Sequence, residues 1–411
     1  MKRVVLLAFA QCLAMGALTA PAVVGLSVRV REFVEPDAAA GLLGAIISLG
    51  SLAAMIANPL FGWLADHTGR RRGALTLGAV AGLVATVGVA WAPSPVALTA
   101  AWITAQAAYN MCFGAINGLI SHGLADTDRT RAAGVLSSVS ILGTLPGLAV
   151  AALLPHDVAV MMLVVPAFAA VAIPILALRL PRSARVDSAA PPHRPLDAVR
   201  TVASRAFVVV FTIRFVIAFE LAAGLVFALY LFTDRWQVAE ADSVRLVSLM
   251  TAVGAAGLVG TAAIIAASRL RRASARVLLG SALVGVTIAT IARALAPTVL
   301  VFLLATLVAG CAIGAGFTAS RSIAQAVLPP ERSALGLGIF NVANTLAPAV
   351  APAVAGALVV PGLVPWQADG YGAMYLALSV PIAACLALLP LLRERSAVAP
   401  SASPHLPQMH R

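Results

Sequence analysis

Twelve apolar runs, each about as long as a bilayer is thick, dominate what this chain can fold into. They fall at 4–28, 39–61, 74–92, 96–120, 133–154, 158–179, 206–231, 245–268, 277–296, 298–320, 333–359 and 371–392. About twenty residues of helix cross a hydrocarbon core, whereas a spanning strand needs about ten. With no water to bond the backbone there, each run must satisfy its own N–H and C=O groups, which a helix does. Hydrophobic residues make up 61% of the chain and charged ones only 11%, which excludes a soluble domain of ordinary composition. Aromatics are sparse while Ala, Gly, Val and Leu dominate, favouring closely packed helices over an outer-membrane barrel. The expected fold is all-α and integral to the membrane, with twelve spans.

The net charge of +12 does not mark a nucleic-acid binder, because the basic residues alternate between loops instead of forming one soluble patch. Of the 28 Lys and Arg residues, 21 fall on the side of the N-terminus and five (Arg29, Arg31, Arg235, Arg245 and Arg293) on the other. Arg214 and Arg321 fall within or at the ends of spans. The positive-inside rule then puts both termini in the cytoplasm and the protein in the cytoplasmic (inner) membrane as a multi-pass chain. Met1-Lys2-Arg3 before an apolar run also looks like a signal peptide, but the run continues to Val28 and reads as the first span. Cys12, Cys112, Cys311 and Cys385 sit singly in apolar spans, without metal-ligand spacing, as packing residues.

The chain repeats itself. Arg131 opens the fifth run and Arg332 the eleventh, and Thr144-Leu145 follows the first as Thr345-Leu346 follows the second, 201 residues on. The same offset carries Arg70-Arg71 to Arg271-Arg272. This divides the chain into two pseudo-symmetric six-helix halves, 1–180 and 206–393. A polar cytoplasmic linker, 181–205, joins them, and a disordered cytoplasmic tail, 394–411, follows.

Between the second and third runs stands Gly62-Trp-Leu-Ala-Asp66-His-Thr-Gly69-Arg70-Arg71-Arg72. Glycines let two helices approach closely, and an acid beside a basic cluster at the membrane edge makes a charge latch that breaks when helices part. The segment resembles the G-x-x-x-D-R-x-G-R-R signature of the major facilitator superfamily, with His67 where the family keeps arginine. The resemblance covers almost the whole chain. It implies twelve spans in two halves, with spans 1, 4, 7 and 10 lining a central cavity and 3, 6, 9 and 12 facing lipid. Gly62, Asp66, Gly69, Arg70, Arg71, Arg131 and Arg332 would form the gating motif. The 201-residue offset maps Asp66 to Ala267, so only the first half carries a full latch.

A polar side chain facing lipid is costly, so its location marks a cavity or a helix contact. Span 4 carries Gln106, Asn110 and Asn117 along one helical face with Tyr109 beside it; span 11 carries Asn341 and Asn344; span 1 carries Gln11. Spans 3, 6, 9 and 12 have no Asn, Gln, Asp or Glu in their apolar cores. These residues are the substrate-binding candidates, with interhelical amide bonding as the alternative reading. Of sixteen acids only Glu220 sits near the middle of a span. A charge there costs roughly 2.5–3.5 kcal/mol on insertion scales, which makes this carboxyl a candidate proton carrier. Arg214 is its nearest countercharge in sequence, but six residues place the two about 120° apart around the helix, so each is set to face another helix.

The expected function is secondary active transport of a small organic molecule by alternating access, with a proton as the coupling ion and sodium the alternative. The neutral amides suit a hydroxylated or mixed-polarity substrate. The segments 118–131, Pro329-Pro-Glu-Arg-Ser-Ala, Gly338-Ile-Phe-Asn341-Val-Ala-Asn344, Arg214-Phe215 and Tyr230-Leu-Phe-Thr-Asp234 are similar to glycoside–cation symporter-like members. Gly134, Gly143 and Pro146-Gly147 in span 5 partly resemble the antiporter motif of drug exporters, which leaves a proton-driven drug or natural-product exporter as the alternative. A non-transporting membrane sensor or structural protein is the third reading. No phosphate-cradling G-x-x-x-x-G-K-[ST] loop, zinc spacing or buried nucleophile–base pair occurs, so no enzyme, cofactor, metal or nucleic-acid partner is expected. The expected partners are the substrate, the ion and the lipid bilayer, around a monomer.

Overall fold

The apolar runs fold as helices wherever the computed structural model describes them, which is over residues 2–123, 139, 142–180, 204–268, 274–328, 333–359 and 370–392. The first half contains α1 (Lys2–Ala20), α2 (Leu26–Arg31), α3 (Pro36–Thr68), α4 (Arg71–Ala90), α5 (Pro95–Gly123), α6 (Thr144–Leu153) and α7 (Val158–Arg179). The second contains α8 (Arg205–Val226), α9 (Ala228–Arg235), α10 (Glu240–Ala267), α11 (Ala275–Ala294), α12 (Val299–Val327), α13 (Ser333–Ala357) and α14 (Tyr371–Ala384), the last continued by a 3₁₀ turn, Cys385–Leu391. Among the described residues, ten helical stretches are long and apolar enough to cross a membrane. Arg131, Arg332, the Arg271-Arg272 pair, most of the linker and the tail lie outside the described residues.

Local chemistry sets the ends. Asp157, Ser204 and Thr298 accept the backbone N–H groups of Val160, Phe207 and Val301, capping α7, α8 and α12. Pro36 opens α3 at a position whose N–H no helix needs. Gly69 closes α3 at φ 68°, a left-handed conformation that a side chain strains. The motif read as a loop from Gly62 is therefore mostly helix. Nothing before Gly69 breaks the pattern, so Gly62 to Thr68 form the last turns of α3 and only Gly69 and Arg70 make the bend.

The first span of each half is broken near its outer third. A π turn at Pro21–Gly25 separates α1 from α2, where Pro21 lacks an N–H, and Phe227 separates α8 from α9. The repeat is also visible in helix lengths. The helices α4 and α11 are both 20 residues, α5 and α12 both 29, and each pair starts 204 residues apart. That is three more than the arginines indicate. Under this offset Gly50, which abuts Gln106, becomes Gly254, which abuts Gly310.

Packing is unequal at the two ends of the bundle. At the end away from Arg70–Arg72, one apolar core joins both halves: Leu43, Trp102 and Met161 share it with Phe227, Phe302 and Tyr375. At the arginine-bearing end no core among the described residues joins the halves: one, around Leu13, Leu75 and Ile116, belongs to the first half, and two, around Phe207, Leu283 and Phe340 and around Ile265, Ala282 and Ala315, belong to the second. The halves also meet where α3 crosses α13. Gly44 lies against the Pro352 carbonyl, Gly356 lies 2.7 Å (to an idealised Cβ) from the Ala40 carbonyl, and Ser48 Oγ accepts the Ala353 N–H at 3.0 Å. Among the described residues, the halves are joined at one end and parted at the other.

Candidate functional site: a polar gap between the halves

The closed end carries a polar latch across the halves. Arg31 at the tip of α2 donates through Nη2 to both oxygens of Asp234 on α9, at 2.6 Å each. The Tyr371 hydroxyl donates to the same carboxylate at 3.0 Å. The Arg31 guanidinium also lies 4.3 Å above the Tyr230 ring, whose hydroxyl donates to the Ser27 carbonyl at 2.8 Å. Arg31 and Asp234 are 203 residues apart, and so are Ser27 and Tyr230. Both contacts therefore join near-counterparts of the repeat, as residues beside a pseudo-two-fold axis must.

At the parted end, Arg71 donates through Nε to Asp66 Oδ1. Arg71 is buried, and Gly118 of α5 gives the pair its space, since a Cβ there would run into Asp66 and Arg71. Gly62 and Gly114 let α3 and α5 approach beside it. The Trp63 ring stacks on His67 at 5.4 Å, so the residue that departs from the family signature keeps a partner of its own.

Between the ends, polar side chains collect on two walls. On the first half, Asn58 of α3 donates to Asn110 at 3.4 Å, and Asn110 donates to the Gln106 carbonyl at 2.8 Å. Gln11 and Asn117 also make polar contacts; Asn117 is exposed and Gln11 half-buried. Tyr109 is fully buried and its ring packs over Gly82 of α4, away from the gap. On the second half, Arg214 donates through Nε to Asn344 Oδ1 at 2.8 Å and through Nη1 to the Phe317 carbonyl at 3.0 Å. Asn341 is exposed three residues before Asn344. By helical spacing it shares a face of α13 with Pro352, the residue that packs on α3 at the closed end. Toward the parted end that face has lost its cover.

Glu220 lies elsewhere. Its carboxylate turns toward α11, where Oε1 accepts from Arg293 Nη2 and from Thr290 Oγ1, the latter at 3.2 Å. Arg293 sits 4.9 Å over the Tyr375 ring of α14, and the Tyr375 hydroxyl donates to the Gly224 carbonyl at 2.9 Å. Gly224 leaves room for the guanidinium, which a Cβ would meet at 2.9 Å. Glu220 and Arg293 are 1% and 4% exposed, so this is a fully desolvated pair. Glu220 Oε2 and Arg293 Nε are buried without a partner. Arg214, the countercharge nearest in sequence, is on a different face against α12 and α13. The partner is instead Arg293, which the sequence reading counted only as an outer-side charge near the end of the ninth span. The sequence reading also missed Asn58, Arg31 and Asp234. The near-repeat spacing of Arg31 and Asp234 was the signal that could have paired them.

These features define a helical membrane protein of two repeated halves, joined at one end among the described residues and bearing polar side chains on helices of both halves. The sequence profile of the Major Facilitator Superfamily matches residues 5–352, and the chain belongs to that family. Its fold is similar to a solved structure of a point mutant of the nucleoside transporter NupG, with a TM-score of 0.77 at 15% identity, covering 95% of this chain and 99% of that one. A bacterial homolog to the human lysosomal transporter Spinster, inward-facing and occupied, gives a TM-score of 0.72 at 17% identity, covering 95% and 96%. A D-xylose-proton symporter gives 0.72 at 14% identity, covering 94% and 96%. No curated protein sequence matches. At these identities the likeness is one of fold.

Proposed function

We propose that this protein carries a small organic molecule across the cytoplasmic membrane by alternating access and couples its movement to a proton. It works as a monomer with both termini and the Arg70–Arg72 turn in the cytoplasm. The observation that carries the reading is the unequal packing of the ends among the described residues: one core shared by the halves on one side, cores confined to one half on the other, and polar walls between. Rocking the halves about the gap would exchange the open side, as the family architecture allows. The gap carries Gln106, Asn110, Asn341 and Asn344 as neutral partners for the substrate. Glu220 is the proton carrier, and Arg293 is the cation that holds it ionised between turnovers. Taking up a proton would release the ion pair and loosen α8 from α11, close to the break at Phe227.

The test is proton movement in proteoliposomes with a pH-sensitive dye, while sugars, nucleosides, organic acids and cationic drugs are added in turn. Wild-type protein is expected to acidify or alkalinise the lumen with at least one of them. Glu220→Gln, and the charge-balanced Glu220→Gln/Arg293→Gln, should lose proton-driven accumulation and keep substrate exchange. Unchanged accumulation in the balanced variant removes Glu220 from coupling. Resistance to a broad set of apolar cations on expression would instead select the exporter reading.

A further inference from the structure

The arginines set between helices in this protein are treated differently from one another. Arg31, Arg71 and Arg293 each meet a carboxylate, from Asp234, Asp66 and Glu220. Arg214 meets none among the described residues. Its partners are the Asn344 oxygen at 2.8 Å, the Phe317 carbonyl at 3.0 Å and the Ser320 hydroxyl at 3.4 Å, all neutral. Its guanidinium lies 3.5 Å over the Phe317 ring and 5.8 Å from the Phe340 ring. Such neighbours fix the orientation of a guanidinium without cancelling its charge, and a bare cation at membrane depth is expensive to keep.

Donors remain free at this place. Among the described residues, Arg214 Nη2 makes no hydrogen bond, and it is not one of the enclosed polar atoms. The Asn344 amide has committed its oxygen to Arg214, so its NH₂ is left without a partner among those residues. Asn341 is exposed on the gap side of the same helix. The facing wall of Asn58, Gln106 and Asn110 is neutral, with Asn110 bonded to both of the others. The described residues here therefore leave the Arg214 charge unbalanced, with amide donors beside it and a second arginine, Arg321 of α12, near enough to add to the positive field. A guanidinium pinned on an aromatic face with Nη2 left over can receive an oxyanion by a charge-assisted hydrogen bond from that nitrogen.

We infer that the molecule this protein carries is a small organic anion, whose carboxylate or phosphate group docks on Arg214 between Asn344 and Asn341. The inference rests on the transport reading above and narrows its substrate from a small organic molecule to an organic anion. Benzoate, succinate and glycerol phosphate serve as anionic probes, with xylose and uridine as neutral ones. Two measurements are made on purified protein: the shift in unfolding temperature on adding each probe, and counterflow in proteoliposomes. At least one anion is expected to raise the unfolding temperature and to exchange, with the carboxylates and the phosphate ranking which oxyanion fits. Arg214→Gln should weaken that probe at least tenfold, and Arg214→Lys should retain part of it, keeping the charge but losing the contacts that orient the guanidinium. Asn344→Asp places a carboxylate on Arg214 and should abolish anion binding in a protein that still folds. If no anion shifts the wild-type protein, or if neutral probes bind and are indifferent to Arg214→Gln, the anion site is wrong. If anions shift unfolding but no probe exchanges, the site stands and the transport reading falls.

Discussion

Glu220→Gln should cost far more folded protein than Arg293→Gln, although each removes one half of the same ion pair. The pair is wholly buried between α8, α11 and α14. Removing one partner of such a pair typically costs about 3–5 kcal/mol, because the survivor is left charged and desolvated. The two survivors are not equivalent. A glutamate abandoned by Arg293 escapes by binding a proton, but an arginine abandoned by Glu220 stays charged. Glu220→Gln is thus expected to bear the full figure and Arg293→Gln clearly less. Glu220→Gln/Arg293→Gln should recover most of the loss, since neutral amides satisfy Thr290 and each other. Unfolding in detergent at increasing denaturant, read on all three variants, checks the order. Equal losses from the two single variants would mean that the pair is hydrated and that the two survivors are equivalent after all. The same comparison decides which variant is fit for the coupling experiment.

Asp234→Ala should open the closed end. This carboxylate collects Arg31 from the other half and Tyr371 from its own, with the Arg31 pair about a quarter exposed. A hydrogen bond to a charged group contributes about 1.5–3 kcal/mol net, and partial exposure argues for the lower end. About 1.4 kcal/mol is a tenfold change in an equilibrium, so the outward-open population should rise roughly tenfold. Spin labels at Asp37 and Asp242, both exposed near that end, would report it as a longer distance. Exchanging the charges, Arg31→Asp with Asp234→Arg, should restore the short distance. A distance distribution untouched by Asp234→Ala would leave closure to the apolar core alone.

Much of this architecture was legible because a bilayer permits so few solutions. Runs such as 158–179 can only be helices, and the arginine bias orders the loops between them. Gly62 was legible for its part in close helix approach, and it lies against Gly114 of α5, a partner the sequence did not name; Gly69 instead closes α3 in a left-handed conformation. Partner choice was less legible. Glu220 declared itself by its position, but its partner was fixed by how α8 docks on α11, which no spacing along one helix encodes. Angular spacing correctly kept Arg214 off that face, yet offered no partner for either residue. The polar stripe on span 4 hid a different ambiguity. Asn110 looked like a substrate ligand, and its amide is already engaged by Asn58 and Gln106, a contact set by the crossing of two helices. The repeat itself was read from loop arginines, and loops shift register more freely than helices. The helices show an offset of 204 where the arginines gave 201.

The latch joins near-counterparts of the two copies, and this constrains how such a molecule can be assembled. Were two identical first halves to associate about the same axis, Arg31 would face Arg31 and Ser27 would face Ser27. Two second halves would set Asp234 against Asp234. Neither self-pairing has an ion pair to offer, and each brings like charges together. Only unlike halves close the end. Expressed as separate chains, 1–180 and 206–393 should co-purify with each other and fail to form homodimers, and Asp234→Arg should abolish the co-purification more readily than Asp234→Ala. Fusion into one polypeptide does more than hold the halves near one another: it lets each side of the axis carry a different sign.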